Sequence, residues 1–365
     1  MKKDRLALVF AAGGTGGHLF PALAVAEYIR KERPDATIVF IGAHGKMEER
    51  IVPQHGFPLR LLWIEGINRT RPMRLAKVPF QVLASIVRVV AIMRSLKPGA
   101  AVCAGSYVSY PVGVAARLMN IPLVLMESNA RPGKVIRSLA PHAAAVHVAF
   151  EKSKEFFVRR DNIIVSGNPV REELSSPMVR EEAVRAFGLD PAKQVLLVFG
   201  GSLGARSINA AVTHALPALR SDGIQVIWQT GRDADVTVPT QPGVWRNEFI
   251  EDMRAAYAAA DLVVCRAGGT TLAELTVVGV PSVLVPYPHH ADQHQVRNAE
   301  SMRDAGAAEI ILEAQLAEAF LSTVRMLLSD RTRQTAMRLA AHALGKRDAT
   351  ARIAENILAL AAQHG

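Results

Sequence analysis

Long apolar runs, cysteine and, across one long stretch, acidic residues are all scarce in this 365-residue chain. The uncharged stretch from Leu275 to His289 is broken by Gly279, Pro281, Pro286 and Pro288, short of the about 18 clean apolar residues of a membrane span. The expectation is therefore a chain with no transmembrane segment. The opening, Met1 to Arg5 and then Leu6 to Ala12, has the charged-then-apolar layout of a secretory signal. Its apolar part is at the lower limit of length and runs straight into Gly13-Gly14-Thr15-Gly16-Gly17-His18, so it reads as a strand feeding a functional loop. The two cysteines, Cys103 and Cys265, sit in apolar surroundings without a neighbouring thiol. That argues against a disulfide framework or a zinc site and fits a reducing compartment. Between Gly66 and Phe150 there is one acid, Glu127, against eleven Lys and Arg, a local excess of +10 that equals the net charge of the whole chain. A basic half on a neutral partner points to an anionic surface or substrate, each cation near anionic lipid being worth about 1 kcal/mol.

What is present is a sizeable core: 50% of residues are apolar and 21% charged, the balance of a globular protein of about two domains. Strand-like apolar runs alternate with helix-length segments, the pattern of βαβ units and parallel sheets. Leu6–Ala12, Thr37–Ile41, Ala101–Ala104 and Pro122–Met126 read as buried strands of the first half, and Val195–Phe199, Gln225–Gln229, Leu262–Cys265 and Ser282–Val285 of the second. Each half opens with a β-rich run, a glycine cluster and an Ala-rich helical stretch. Two doubly wound domains in tandem follow, with the seam near Ser166 to Arg171, where Gly and Pro interrupt the pattern. Ligands of such sheets bind beyond the carboxyl ends of the strands, so two facing domains would share one cleft.

Gly13 to His18 follows a strand and precedes a helix in whose first turn Pro21 is expected. Glycines there let the backbone approach a ligand and offer N–H groups to its oxygens. A dinucleotide fingerprint would need a third glycine where Leu19 stands and an acid where Gly42-Ala43-His44 stands, so that reading falls behind. A structural turn needs fewer than four glycines around Thr15. Histidine, with an unperturbed pKa of about 6.5, is the residue type suited to proton transfer at the place of His18, although position alone leaves open a histidine that only hydrogen-bonds the loop. Arg266-Ala267-Gly268-Gly269-Thr270-Thr271-Leu272-Ala273-Glu274 opens another helix after a strand. Its amino terminus could hold a phosphate, worth about 0.3–1 kcal/mol when exposed. Thr271 and Glu274 have capping-box spacing, which would occupy the carboxylate with its own helix. His289, His290, Asp292, His294 and Gln295 lack the helical spacing of a zinc site and read as hydrogen-bonding groups for a hydroxylated ligand. From Arg69 to Lys97, cations (Arg69, Arg71, Arg74, Lys77, Arg88, Arg94, Lys97) interleave with Met73, Leu75, Val78, Phe80, Leu83 and Ile86 and no acid. A solvated helix face is the plain alternative. A membrane-surface patch fits better, and nucleic acid less well, because stacking aromatics and a binding module are missing.

In order and spacing, Gly13 through Ala24, Gly167-Asn168-Pro169-Val170-Arg171, Gly200-Gly201-Ser202-Leu203-Gly204-Ala205 and Arg266 through Glu274 resemble the MurG family of bacterial peptidoglycan glycosyltransferases. Members move N-acetylglucosamine (GlcNAc) from UDP-GlcNAc to undecaprenyl-pyrophosphoryl-MurNAc-pentapeptide. The resemblance covers nearly the whole chain. It implies a GT-B fold, two Rossmann-like doubly wound parallel-sheet domains facing across a cleft. Residues 1–168 would form the acceptor- and membrane-associated domain and 169–346 the UDP-GlcNAc-binding domain, with a last helix within 347–365 packing back on the first. It also implies that Thr15, Gly16, Gly17 and Asn129 lie on the sugar side of the donor, with Arg171 and Ser202 near its diphosphate. Ile250 would meet the uracil through its backbone, Glu274 the ribose hydroxyls and Gln295 the GlcNAc hydroxyls. Gly269, Thr270, Thr271, Leu272 and Ala273 would open the helix that faces the donor.

His18 becomes the expected general base for an inverting attack of the acceptor 4-hydroxyl through an oxocarbenium-like state, with Glu127 in reserve. No metal and no cofactor are expected. The expected partners are UDP-GlcNAc, the lipid-linked acceptor and an anionic membrane surface at the cytoplasmic face of the cell membrane, with no nucleic acid. Two departures fall in the acceptor half. The family's Gly-Gly-Tyr-x-Ser-Gly-Pro reads here Gly105-Ser106-Tyr107-Val108-Ser109-Tyr110-Pro111, and its His-Glu-Gln-Asn reads Met126-Glu127-Ser128-Asn129. Another GT-B enzyme (a glycolipid synthase or a UDP-GlcNAc 2-epimerase) and a catalytically silent nucleotide-sugar or membrane-surface binding protein are the rival readings.

Overall fold

A computed structural model describes residues 6–64, 78–176, 178–201, 204–231, 241–288 and 293–364. The apolar runs form strands buried on both faces, and such strands require helices on either side and favour parallel pairing. By contact the chain divides into a first unit, Met1–Arg171 with Asp348–Gly365, and a second, Glu172–Arg347.

The strands of the first unit are β1 (Ala7–Ala11), β2 (Thr37–Ala43), β3 (Leu59–Leu62), β4 (Ala100–Cys103), β5 (Leu123–Glu127), β6 (Ala145–Val148) and β7 (Ile163–Val165). They make one sheet in the order β3-β2-β1-β4-β5-β6-β7, and its pairings are all parallel. Successive side chains point to opposite faces. Val9 and Ala11 share a core with Val89 and Met93 of the helix Val78–Leu96 and with Val112 and Ala115 of Ser109–Leu118. Leu8 and Phe10 share the other with the helices Gly16–Glu32 and Ala349–His364. The last helix buries Ile353 and Ile357 completely, each worth about 1.5–3 kcal/mol.

The second unit holds β8 (Val195–Phe199), β9 (Gln225–Gln229), β10 (Val244–Asn247), β11 (Leu262–Cys265), β12 (Ser282–Leu284) and β13 (Ala308–Ile310). Their order is β10-β9-β8-β11-β12-β13, again with parallel pairings throughout. In each sheet the winding reverses once, between β1 and β4 and between β8 and β11. The loops leaving the carboxyl ends of those four strands are where a doubly wound fold places its ligand.

One expectation is corrected. Gly16 and Gly17 are themselves helical, so the helix starts earlier than foreseen and Pro21 lies beyond its first turn. Proline cannot donate to the carbonyl four residues back, that of Gly17. The Ser128 hydroxyl stands 3.5 Å from that carbonyl, but its proton goes to Asn168 Oδ1 at 2.8 Å. A second point concerns membranes. Among the described residues, the helix Val78–Leu96 is long and apolar enough by composition to cross one. Counting uncharged runs missed it because Arg88 and Arg94 interrupt the stretch.

Candidate active site

Beyond β1 the chain turns through Gly13 and Gly14 into its first helix. Glu48, fully buried, fills the space beside this turn. Its Oε2 accepts from the Gly14 N–H and its Oε1 from the Ala43 N–H, both at 3.0 Å, tying the ends of β1 and β2 together. A Cβ on Gly13 would lie 2.2 Å from Glu48 Oε1, so any larger residue there must push the carboxylate off its two N–H donors. Thr15, Gly16, Gly17 and His18 follow on the solvent side of the turn, Thr15 and Gly17 exposed and His18 half-buried. His18 Nδ1 is 3.3 Å from Thr15 Oγ1. Its ring lies against Gly105, the turn after β4, where a Cβ would stand 2.9 Å from Nε2. The two loops at the first winding reversal thus meet at the imidazole.

Glu127 ends β5 almost fully buried. Its Oε1 accepts from the backbone and side-chain nitrogens of Asn129 at 2.9 and 3.0 Å, and its Oε2 from the Gly133 N–H at 2.8 Å. Burial pushes its pKa up, opposed by these donors. The carboxylate therefore shapes the 128–133 loop and orients the Asn129 amide. Ser128 bonds Asn168 Oδ1 at 2.8 Å. At the other departures, Ser106 takes a left-handed φ of 65° with no partner for its buried hydroxyl, Tyr110 is 38% exposed in the helix Ser109–Leu118, and Met126 is core. Arg171 closes the first unit, half-buried.

In the second unit, β8 leads into Gly200 and Gly201. Gly204 has φ 78°, and a Cβ there would meet the Thr230 carbonyl at 2.1 Å. Ser202, between them, lies outside the described residues. Ile250 is buried and its N–H donates to Gln229 Oε1 at 2.9 Å, so of the expected backbone contacts to uracil only its carbonyl remains. The helix Gly269–Val278 begins directly after Gly268. Gly269 and Leu272 are buried, with Thr270, Thr271 and Ala273 half-buried between them.

The capping-box alternative is ruled out, because the cap is Gly268 and Thr271 is already inside the first turn. Glu274 points inward instead, its Oε2 accepting from the buried Tyr257 hydroxyl at 2.9 Å. Gln295 uses its Oε1 to accept from the Tyr287 N–H at 3.0 Å, leaving donation to a sugar hydroxyl to its amide nitrogen. Arg266 is anchored by Glu313, Ser207 Oγ and the Val285 carbonyl, and stacks 5.3 Å from the Tyr287 ring.

Of the polar cluster after β12, His294 starts the helix His294–Asp304 while His289, His290 and Asp292 lie outside the described residues, as do Arg69, Arg71, Arg74 and Lys77. One Asp-x-Asp triplet, Asp233-Ala234-Asp235, also falls outside them. Among the described residues no group of three or more His, Cys, Asp or Glu side chains could hold a metal. Sequence reasoning missed Glu48 and Tyr257. Glu48 reads as an ordinary first-turn acid of the helix Met47–Gln54, and Tyr257 as core.

The model of the glycosyltransferase family 28 N-terminal domain matches residues 8–148, and that of the C-terminal domain residues 195–353. The chain belongs to glycosyltransferase family 28. This family 28 chain is 40% identical over 363 residues to the UDP-N-acetylglucosamine--N-acetylmuramyl-(pentapeptide) pyrophosphoryl-undecaprenol N-acetylglucosamine transferase of Prosthecochloris aestuarii, covering 97% of this chain and 99% of that one. It is 41% identical to the enzyme of the same name from Salinibacter ruber, over 97% and 96% of the two chains. Among solved structures it resembles Acinetobacter baumannii MurG, with a TM-score of 0.75 and 29% identity over 97% of this chain and 99% of that one. A UDP-N-acetylglucosamine 2-epimerase from Listeria monocytogenes shares only the fold, at 14% identity over 97% and 96% of the chains and a TM-score of 0.69. With two parallel-sheet units and these neighbours, the family 28 fold seen here is GT-B.

Proposed function

We propose that this family 28 enzyme moves GlcNAc from UDP-GlcNAc to the 4-hydroxyl of MurNAc in undecaprenyl-pyrophosphoryl-MurNAc-pentapeptide, the step that completes the disaccharide of the peptidoglycan precursor. The product would feed wall growth, and through it cell shape and division. The observation that carries the reading is the likeness to curated transferases of that name over 97% of the chain at 40% identity.

In the second unit, Glu274 takes the ribose hydroxyls, the Ile250 carbonyl the uracil and Gln295 the GlcNAc hydroxyls. Ser202 and the first-turn N–H groups of Gly269, Thr270 and Thr271 serve the diphosphate, where the helix dipole offsets the charge that grows on the leaving group, while the Leu272 N–H is held by the Gly268 carbonyl and Leu272 and Ala273 only continue the helix. Arg171 adds a cation. In the first unit, Thr15 Oγ1 meets His18 Nδ1, and in the tautomer whose Nδ1–H donates to that oxygen Nε2 is the atom that takes the acceptor proton. Such a base contributes about 10²–10⁴-fold. Gly16, Gly17 and Asn129 line the sugar, and Glu127, its oxygens committed to the loop, positions Asn129.

The membrane assignment rests on the helix Val78–Leu96. Phe80, Leu83 and Val87 are 76%, 61% and 63% exposed, and Arg88 and Arg94 are exposed with them. The opposite face buries Ser85, Val89 and Met93, with Val89 and Met93 in the core of the first unit, so the helix would lie on a bilayer rather than cross it. The enzyme would work at the cytoplasmic face of the cell membrane, on anionic lipid and without nucleic acid. UDP release tests the reading. It should require undecaprenyl-pyrophosphoryl-MurNAc-pentapeptide and fall at least about 100-fold in His18→Ala with UDP binding unchanged. Release without a lipid acceptor, or an unaffected H18A variant, would remove respectively the acceptor or the base.

A further inference from the structure

A phenol can be buried at low cost only where its hydroxyl finds a partner. Tyr257 is 2% exposed and among the largest fully buried side chains of the protein. Two contacts fix it. The helix Met253–Ala259 that carries it is capped by Asp252, which accepts from the Ala255 N–H at 2.9 Å. Its ring meets Phe199, the last residue of β8, edge-on with centroids 6.1 Å apart. The hydroxyl of this fixed ring donates to Glu274 Oε2 at 2.9 Å.

The fully buried Cys265 thiol, at the end of β11, has its pKa raised by burial and, in addition, by the Glu274 charge. A glutamate χ3 is broad and two-fold, so an unheld carboxylate samples many planes. One bond from a rigid donor selects a plane, and the two oxygens, with about four lone-pair sites, keep capacity for further donors.

We infer that Tyr257 is a positioning residue for the donor ribose: it holds the Glu274 carboxylate in the plane that accepts the ribose hydroxyls, and so sets the preference for ribonucleotide over 2′-deoxyribonucleotide. This rests on the assignment of Glu274 to the ribose in the preceding section.

The test measures binding of UDP and of 2′-deoxy-UDP by calorimetry to the full chain, to Tyr257→Phe, to Glu274→Ala and to the double variant, with thermal melting as the check on folding. Tyr257→Phe should bind UDP about 10-fold more weakly, the range expected for loss of a hydrogen bond to a charged group, and 2′-deoxy-UDP, which keeps only the 3′-hydroxyl, more weakly by a smaller factor. The parent's discrimination between the two ligands should thereby shrink. In the E274A background, Tyr257→Phe should change neither affinity by more than about 2-fold.

Unchanged UDP binding in Y257F, or equal weakening of both ligands, would overturn the inference. Should Y257F fail to fold, the double variant, which buries no stranded carboxylate, still decides against E274A. A further loss of UDP affinity there would mean that Tyr257 acts by another route and would also overturn it. If E274A itself binds both ligands as the parent does, it is the placement of the ribose at Glu274 that fails.

Discussion

Glu48→Ala should damage the molecule more than any surface acid. The side chain is fully buried and supplies both acceptors for the Gly14 and Ala43 N–H groups, which end β1 and β2. A hydrogen bond to a charged group contributes about 1.5–3 kcal/mol, and a buried donor left without a partner costs a comparable amount. Two such bonds give about 3–5 kcal/mol for E48A once some water refills the space. Glu48→Gln keeps one acceptor but turns an NH2 toward a backbone donor, so about 2–3 kcal/mol is expected. The same geometry makes Gly13→Ala costly, because its Cβ would displace the carboxylate. Urea unfolding gives the stabilities, and turnover measured on the folded fraction gives the activity. Turnover should fall in E48Q as well, because the turn that carries Thr15 and His18 loses its tether. An E48A variant within about 1 kcal/mol of the parent would refute the reasoning.

Ser106→Gly should stabilise the first unit by about 0.5–1 kcal/mol in a thermal melt, since it relieves a left-handed φ of 65° and removes a buried hydroxyl without a partner. Gly204→Ala should destabilise the second unit by about 3 kcal/mol or more, its Cβ facing the Thr230 carbonyl at 2.1 Å, as read by urea unfolding. Ile357→Ala in the last helix should cost about 2–5 kcal/mol, measured the same way. His147 sets a pH dependence. Burial first, then Arg352, resist its charging, against Asn356, which favours it, and its pKa lies below the ordinary value. The unfolded chain takes up the proton first, so stability present above about pH 6.5 drains away below it. His147→Gln should flatten that slope in denaturation curves taken between about pH 7 and pH 5.

The central strands were legible because burial on both faces writes them as unbroken apolar runs, and Val195–Phe199, Gln225–Gln229 and Leu262–Cys265 appear at the residues read for them. The outer strands β3 and β10 were not singled out. They are short and partly exposed, and Arg60 and Arg246 dilute their pattern. Glycine loops stand out in sequence because few residues fit a tight approach to backbone. Their supports do not, since Glu48 and Tyr257 act through contacts across 34 and 17 positions that no local spacing marks. The capping-box alternative for Glu274 has the same origin: spacing suggested a partner three residues back, whereas the fold supplies Tyr257. The amphipathic character of Val78–Leu96 was visible as interleaved cations and apolar residues, but its length as one helix was hidden by the two arginines.

The central claim is acceptor-dependent transfer of GlcNAc to a lipid-linked sugar, and incubation with radiolabelled UDP-GlcNAc and undecaprenyl-pyrophosphoryl-MurNAc-pentapeptide, followed by lipid extraction, tests it most directly. Label should enter the lipid phase only with that acceptor and be released from it as a β-1,4-linked GlcNAc–MurNAc disaccharide. Label that stays in the aqueous phase, or UDP-GlcNAc epimerised at its 2-position without any acceptor, would contradict the account.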